Sequence, residues 1–81
     1  MKWITRYPHP KGWAFTIEHE LVSGSAPGGP IETDFYYLIG SDAEGNEFCS
    51  YMQEALDVAM VQAEQDFGVP VDSWAEVKPE A

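Results

Sequence analysis

Residues 13–22 read WAFTIEHELV, and apolar and charged side chains alternate along this stretch. Successive side chains of an extended chain point to opposite faces, so every second residue shares a face. Glu18 and Glu20 fall on one face, and the apolar residues fall on the other: Trp13, Phe15, Ile17 and Leu21. The alternation predicts a strand with one buried face and one solvated face, and His19 shares the buried face.

The sequence predicts further strands on both sides of this one. Residues 23–30 contain three Gly and two Pro, which favours a loop. After the loop a second alternating strand follows, whose predicted buried side chains are Ile31, Phe35, Tyr37 and Ile39. Residues 2–7 are rich in β-favouring side chains and predict a third strand. Residues 41–46 predict a turn, after which residues 47–49 form a short returning strand.

A single helix is predicted to follow the strands. Ser50 and Gln53 have the spacing of a capping box, in which two side chains satisfy backbone donors of the first turn. An apolar stripe at helical spacing comprises Met52, Ala55, Leu56, Ala59, Met60, Ala63 and Phe67, and Gly68 with Pro70 ends the helix. We therefore predict one α+β domain over residues 1–81, an antiparallel sheet of three to four strands covered on one face by a C-terminal helix.

The charge of the chain excludes several classes of function. Fourteen Asp and Glu oppose four Lys and Arg, so the formal net charge is −10, and no cation lies between Trp13 and Val77. Nucleic acids and anionic membranes would be repelled by such a surface. Cys49 is the only cysteine, which fits a reducing compartment, and no apolar run is long enough to span a membrane. We expect a cytoplasmic protein.

Catalytic and cofactor motifs are not recognisable in the sequence. The strand assignments place Cys49 and His19 on opposite sheet faces, which argues against a thiol–imidazole pair. Two His and one Cys are too few for a structural zinc site. The loop over residues 24–29 lacks the Lys and Ser or Thr of a phosphate-binding loop. We therefore predict no catalytic residue, no metal ligand set and no cofactor.

The acidic residues form the strongest functional signal. If Leu21 pairs with Ile31, then Glu20 lies opposite Glu32 and Glu18 lies opposite Asp34. A two-residue shift places Glu20 opposite Asp34 instead. Either register puts four carboxylates on one solvated face beside Tyr36, where each opposed like-charge pair destabilises a sheet by about 0.2–1 kcal/mol. A first strand pairing beside this hairpin would bring Lys2 near Glu18.

Such a surface has three explanations. It can bind a protein with a basic surface, hold a divalent cation between the carboxylates, or serve solubility alone. A second acidic and apolar patch on the helix favours the first explanation. The predicted partner-binding residues are Glu18, Glu20, Glu32, Asp34, Tyr36, Glu54, Asp57 and Val61.

We predict a non-enzymatic inhibitor of a basic, nucleic-acid-handling protein, of immunity, antitoxin or phage anti-defence type, acting as a monomer or homodimer. The alternative is a divalent-cation-binding or accessory acidic domain. The order of strands before a helix that opens Gln53-Glu54-Ala55-Leu56 is similar in architecture to the strand–strand–strand–helix unit of HicB-type antitoxins. The resemblance implies a small toxin inhibitor and transfers no site residue.

Overall fold

The structure is a computed structural model that describes residues 1–78. It contains five antiparallel strands, one α-helix and a short 3-10 helix. The last three residues of the predicted domain, 79–81, lie outside the described residues. The elements are β1 (Lys2–Thr5), β2 (Ala14–Ala26), β3 (Gly29–Ser41), β4 (Glu47–Gln53), α1 (Leu56–Phe67), a short 3-10 helix (Val71–Ser73) and β5 (Trp74–Val77). The sheet order is β4-β3-β2-β1-β5, and α1 packs against one face.

The predicted α+β class and the single covering helix are confirmed. The sheet has one strand more than the upper limit of the prediction, because residues Trp74–Val77 pair antiparallel with β1. The predicted short strand before the helix is present and extends to Gln53. Among residues 1–78, no helix has both the length and the apolar character needed to cross a membrane.

The predicted loop over residues 23–30 is wrong. Both strands continue through this segment, and Ala26 pairs with Gly29 across a two-residue turn. A glycine weakens a strand without preventing backbone pairing, and a proline is tolerated near a strand terminus. Gly29 has a φ of +117°, a conformation that other residues rarely adopt, so the glycine-rich composition serves the turn and not a loop.

The pairing of β2 with β3 differs from both predicted registers. Ile17 lies opposite Leu38 and His19 lies opposite Tyr36, so the even-numbered residues of β3 face the helix. The predicted buried side of this strand is therefore wrong, since Phe35 and Tyr37 lie on the face away from α1. A two-residue turn fixes the register, and a change of one residue in the register reverses the face of every side chain.

The core lies between α1 and the helix-facing side of the sheet. Trp3, Ile17 and Leu38 form one row across β1, β2 and β3. Ala59 and Ala63 are fully buried on the helix, and their small side chains let the backbone of α1 approach the sheet. The complete buried set is Trp3, Phe15, Ile17, Leu38, Ala59, Ala63 and Val69.

The predicted helix start is wrong, whereas the predicted helix end is confirmed. Ser50 and Gln53 belong to β4, and the helix begins at Leu56 without a side-chain cap. The Gln53 amide instead donates a hydrogen bond to Gln62 on α1. Gly68 adopts a left-handed conformation with φ +74° and closes the helix by donating its N–H to a carbonyl of the last turn. From Leu56 onward the predicted stripe faces the sheet, although Met52 lies on β4 and is 57% exposed.

Candidate functional site

The hairpin of β2 and β3 projects beyond the rest of the sheet. β1 pairs with β2 only as far as Glu18, and β4 pairs with β3 only from Tyr36. Residues 20–35, which we term the hairpin arm, therefore form a two-stranded ribbon that pairs with no other strand of residues 1–78. The six residue steps from 20 to 26 correspond to about 20 Å at the rise of a strand, and the longest dimension of the molecule is 48 Å.

The hairpin arm exposes aliphatic side chains. Leu21 is 55% exposed, Ile31 is 51% exposed and Val22 is 41% exposed. Leu21 lies on the helix side of the sheet, whereas Val22 and Ile31 lie on the other side. A solvated ribbon gains nothing in stability from aliphatic side chains that stay in water. Their presence on both faces of the arm is therefore typical of a surface that a binding partner covers.

The arm also concentrates negative charge. It carries Glu20, Glu32 and Asp34, and residues 20–35 contain no Lys or Arg. These carboxylates are not opposed to one another. Glu20 lies opposite Phe35, Asp34 opposite Leu21 and Glu32 opposite Ser23. The observed register thus avoids the like-charge cost that the predicted registers implied.

The predicted single face of four carboxylates is wrong. Glu18 and Glu20 lie on the face away from α1, whereas Glu32 and Asp34 lie on the helix side. The four side chains do not surround one ion, and residues 1–78 contain no group of three or more potential metal ligands. The arrangement of these four carboxylates therefore does not support the explanation that they hold a divalent cation between them. The predicted proximity of Lys2 is confirmed, since Lys2 lies directly opposite Glu18.

A polar and aromatic contact joins the hairpin arm to the body of the sheet. His19 Nε2 lies 2.7 Å from Asp34 Oδ1, and the His19 ring stacks on Tyr36 at a centroid distance of 4.9 Å. Tyr36 in turn packs against Trp3 at 5.7 Å. The predicted exposure of Tyr36 is wrong, because it lies on the helix side against the core. Sequence reasoning missed the His19–Asp34 pair, which only the observed register brings together.

The second predicted patch lies beside the start of α1. Glu54, Asp57 and Val61 are all exposed, and Val61 is 40% exposed. Glu54 and Val58 also line a surface cavity of about 470 Å³, which is completed by Phe35, Met52, Gln53 and Ala55. The cavity joins this patch to the base of the hairpin arm through Phe35. The two predicted patches are therefore neighbours at one end of the sheet.

The thiol and the imidazoles do not form a nucleophile–base pair. Cys49 and His19 lie on the same sheet face, contrary to prediction, because Gly40 and Tyr36 are their respective neighbours on β3. Four residues along β3 separate these neighbours, which is about 13 Å. Burial raises the pKa of the Cys49 thiol, which disfavours the thiolate. His9 hydrogen-bonds the Phe67 carbonyl oxygen through Nε2 at 3.0 Å.

Comparisons with protein-family models, curated proteins and solved structures find no significant match to this chain. The resemblance to HicB-type antitoxins therefore gains no support. The helix start that suggested it is also altered, because Gln53 ends β4 and α1 begins at Leu56.

Proposed function

We propose that this chain binds a protein with a basic surface through the hairpin arm and thereby inhibits a nucleic-acid-handling target. The observation that carries the proposal is the composition of the arm, which projects from the sheet. It exposes three aliphatic side chains among three carboxylates and carries no cation. An acidic coat that serves solubility alone does not account for exposed Leu21, Val22 and Ile31.

The aliphatic side chains supply the free energy of binding in this proposal. Fully burying a Leu, Ile or Val side chain is worth about 1.5–3 kcal/mol relative to leaving it in water. Leu21 and Ile31 are more than half exposed, so most of this gain is still available on association. Because they lie on opposite faces of the arm, a partner cleft that receives the arm contacts both.

In this proposal the carboxylates raise the rate of association and select a basic partner over an acidic one. Glu20, Glu32 and Asp34 attract a basic surface over a long range and disfavour acidic partners. Proteins that bind nucleic acids present Lys and Arg to phosphate groups. An acidic arm inserted among those cations occupies the place of the phosphates and blocks the natural ligand. Glu54, Asp57 and Val61 then form a second contact beside the arm base. Glu18 is left out of this contact because Lys2 lies opposite it, and Tyr36 packs at the arm base through its stacking on His19.

The test uses charge reversal with a matched control. The variant Glu20→Lys with Glu32→Lys changes the arm, and Glu44→Lys with Asp72→Lys changes the net charge equally at exposed positions outside it. The partner is identified by capture on the immobilised wild-type chain, and its affinity for each purified form is then measured over a salt series. We expect a loss of at least about tenfold for the arm variant only, and weaker binding at higher salt.

Two outcomes would contradict the proposal. Equal affinities of the arm variant and the control variant would show that the arm does not make the contact, and salt-independent binding would exclude charge attraction. A competition experiment with a single-stranded oligonucleotide tests the inhibitory part separately. Displacement of the oligonucleotide from the partner is expected, and simultaneous binding of both would leave a binding protein that is not an inhibitor.

A further inference from the structure

The face of the sheet away from α1, which we term the open sheet face, differs in charge from the rest of the molecule. The strand register aligns its side chains in two rows, Ala75, Ile4, Thr16, Ile39 and Ser50 in the first and Val77, Lys2, Glu18, Tyr37 and Met52 in the second. The first row is uncharged. In the second row the only two charges, on Lys2 and Glu18, lie directly opposite each other on neighbouring strands and compensate.

Most of the net charge of −10 therefore lies elsewhere. Glu20 borders the open sheet face at the arm base, and Glu47 borders it at a corner opposite Ser41. Among the other acids of residues 1–78, Glu32, Asp34 and Glu76 lie on the helix side of the sheet. The rest lie on α1, in the 3-10 helix or in the segments that connect the elements. Met52 is 57% exposed and Val77 is 39% exposed, so this nearly neutral face still presents apolar surface to water.

We propose that the open sheet face binds a second copy of this chain, face to face. A basic partner would find almost no net negative charge there to attract it. A second copy offers the same nearly neutral apolar surface, and the helices with their carboxylates stay on the outside of the pair. An isologous contact also repeats each interaction twice.

The size of the open sheet face is sufficient for such a contact. From the spacing of strands and the rise per residue, the two rows with their flanks and the adjoining side of the arm cover about 650 Å² per copy in projection. A dimer of this kind covers one side of the arm and therefore competes with the basic partner for it. The pair would then bury about 1,300 Å² in total, within the range of specific protein interfaces, which starts near about 1,200 Å². Two sheets stacked at about 10 Å would form a helix–sheet–sheet–helix arrangement.

The oligomeric state tests the proposal. Sedimentation equilibrium of the full chain over a concentration series is expected to show a species of twice the 9.0 kDa chain mass. Ile39→Glu places a charge in the centre of the open sheet face, and Met52→Glu places one at a position that is already 57% exposed and tolerates a polar side chain. We expect each to weaken the dimer by at least about tenfold. Val71→Glu, in the 3-10 helix that contacts α1 and 38% exposed, is the matched control and should leave the dimer intact.

The dependence on salt concentration distinguishes the dimer from partner binding through the arm. Screening weakens the repulsion between two chains of charge −10, so higher salt should strengthen the dimer while it weakens the complex with a basic partner. A chain that stays monomeric at all concentrations overturns the proposal. So does a dimer that survives Met52→Glu or dissociates equally with Val71→Glu. The test of partner binding uses other variants and another readout, so a chain that stays monomeric leaves the proposal for the arm standing.

Discussion

The same two strands behave differently in the body of the sheet and in the hairpin arm. In the body, Ile17 and Leu38 on β2 and β3 are fully buried, because α1 covers them and β1 and β4 flank them. In the arm, Leu21 and Ile31 on the same strands are more than half exposed. Backbone pairing between β2 and β3 is continuous through both regions. The two regions differ in whether α1 and neighbouring strands cover their side chains, and this cover separates the part that stabilises the fold from the part available for binding.

The strongest test of this contrast removes a leucine from each region. Leu38→Ala leaves a cavity under α1 and should lower the free energy of unfolding by about 2–5 kcal/mol. Leu21→Ala removes a side chain from solvent and should change it by no more than about 0.5 kcal/mol. Urea unfolding followed by tryptophan fluorescence measures both. Equal losses would mean that the arm is packed in solution and that the contrast is wrong.

A pair of glycines tests the packing density of the two regions. A Cβ at Gly40 would lie 2.7 Å from Cys49 Sγ and 2.9 Å from an atom of Phe15, whereas at Gly24 in the arm the nearest atom, on Ile31, is 3.7 Å away. Gly40→Ala should therefore cost about 1–3 kcal/mol through overpacking. Gly24→Ala should be neutral or slightly stabilising. A tolerated Gly40→Ala, measured by thermal unfolding, would show that the body is less densely packed than described.

The turn of the arm allows local and global stability to be separated. Gly29 has φ +117° and Gly28 does not have a positive φ, although both have open space around a Cβ. Gly29→Ala should strain the turn by about 1–2 kcal/mol. Because the arm beyond its base pairs with no other strand of residues 1–78, we expect faster amide exchange in residues 20–35 with little change in the melting temperature of the body. Gly28→Ala is the control, and a large loss of global stability in Gly29→Ala would contradict the independence of the arm.

The smallest expected effect concerns the junction of the two regions. The side chains of His19 and Asp34 are 22% and 58% exposed, so their contact resembles a surface pair. Asp34→Ala should lower the free energy of unfolding by about 0.2–1 kcal/mol. Amide exchange at the arm base should rise more clearly, because the His19 ring loses one of its two restraints. If exchange there is unchanged, stacking on Tyr36 alone orients the ring.

The sequence predicted the fold class because its strongest patterns are local. The alternation over residues 13–22 and the helix end at Gly68 are specified by neighbouring residues. The register of β3 could not be predicted from neighbouring residues, because residues 35–39 read FYYLI and are apolar on both faces of the strand. Either set of alternate residues fits a buried face, and the two-residue turn decides between them.

The candidate site was predicted in composition but not in arrangement. The acids of the arm were identified by their excess over cations, which requires no structure. Their division between two faces, and the half-buried position of Tyr36, follow from the register alone. The segment of residues 50–53 also satisfies two local patterns, a capping box and an edge strand, and pairing with β3 favours the strand.

The unpaired edges of the hairpin arm have a consequence for the chain before it meets a partner. Each strand of the ribbon presents backbone N–H and C=O groups along an edge, which is a template for pairing with the arm of another molecule. Glu20, Glu32 and Asp34 repel the same residues on a second arm and so oppose edge-to-edge assembly. We therefore expect the charges that we assign to recognition also to oppose the assembly of arms into larger aggregates.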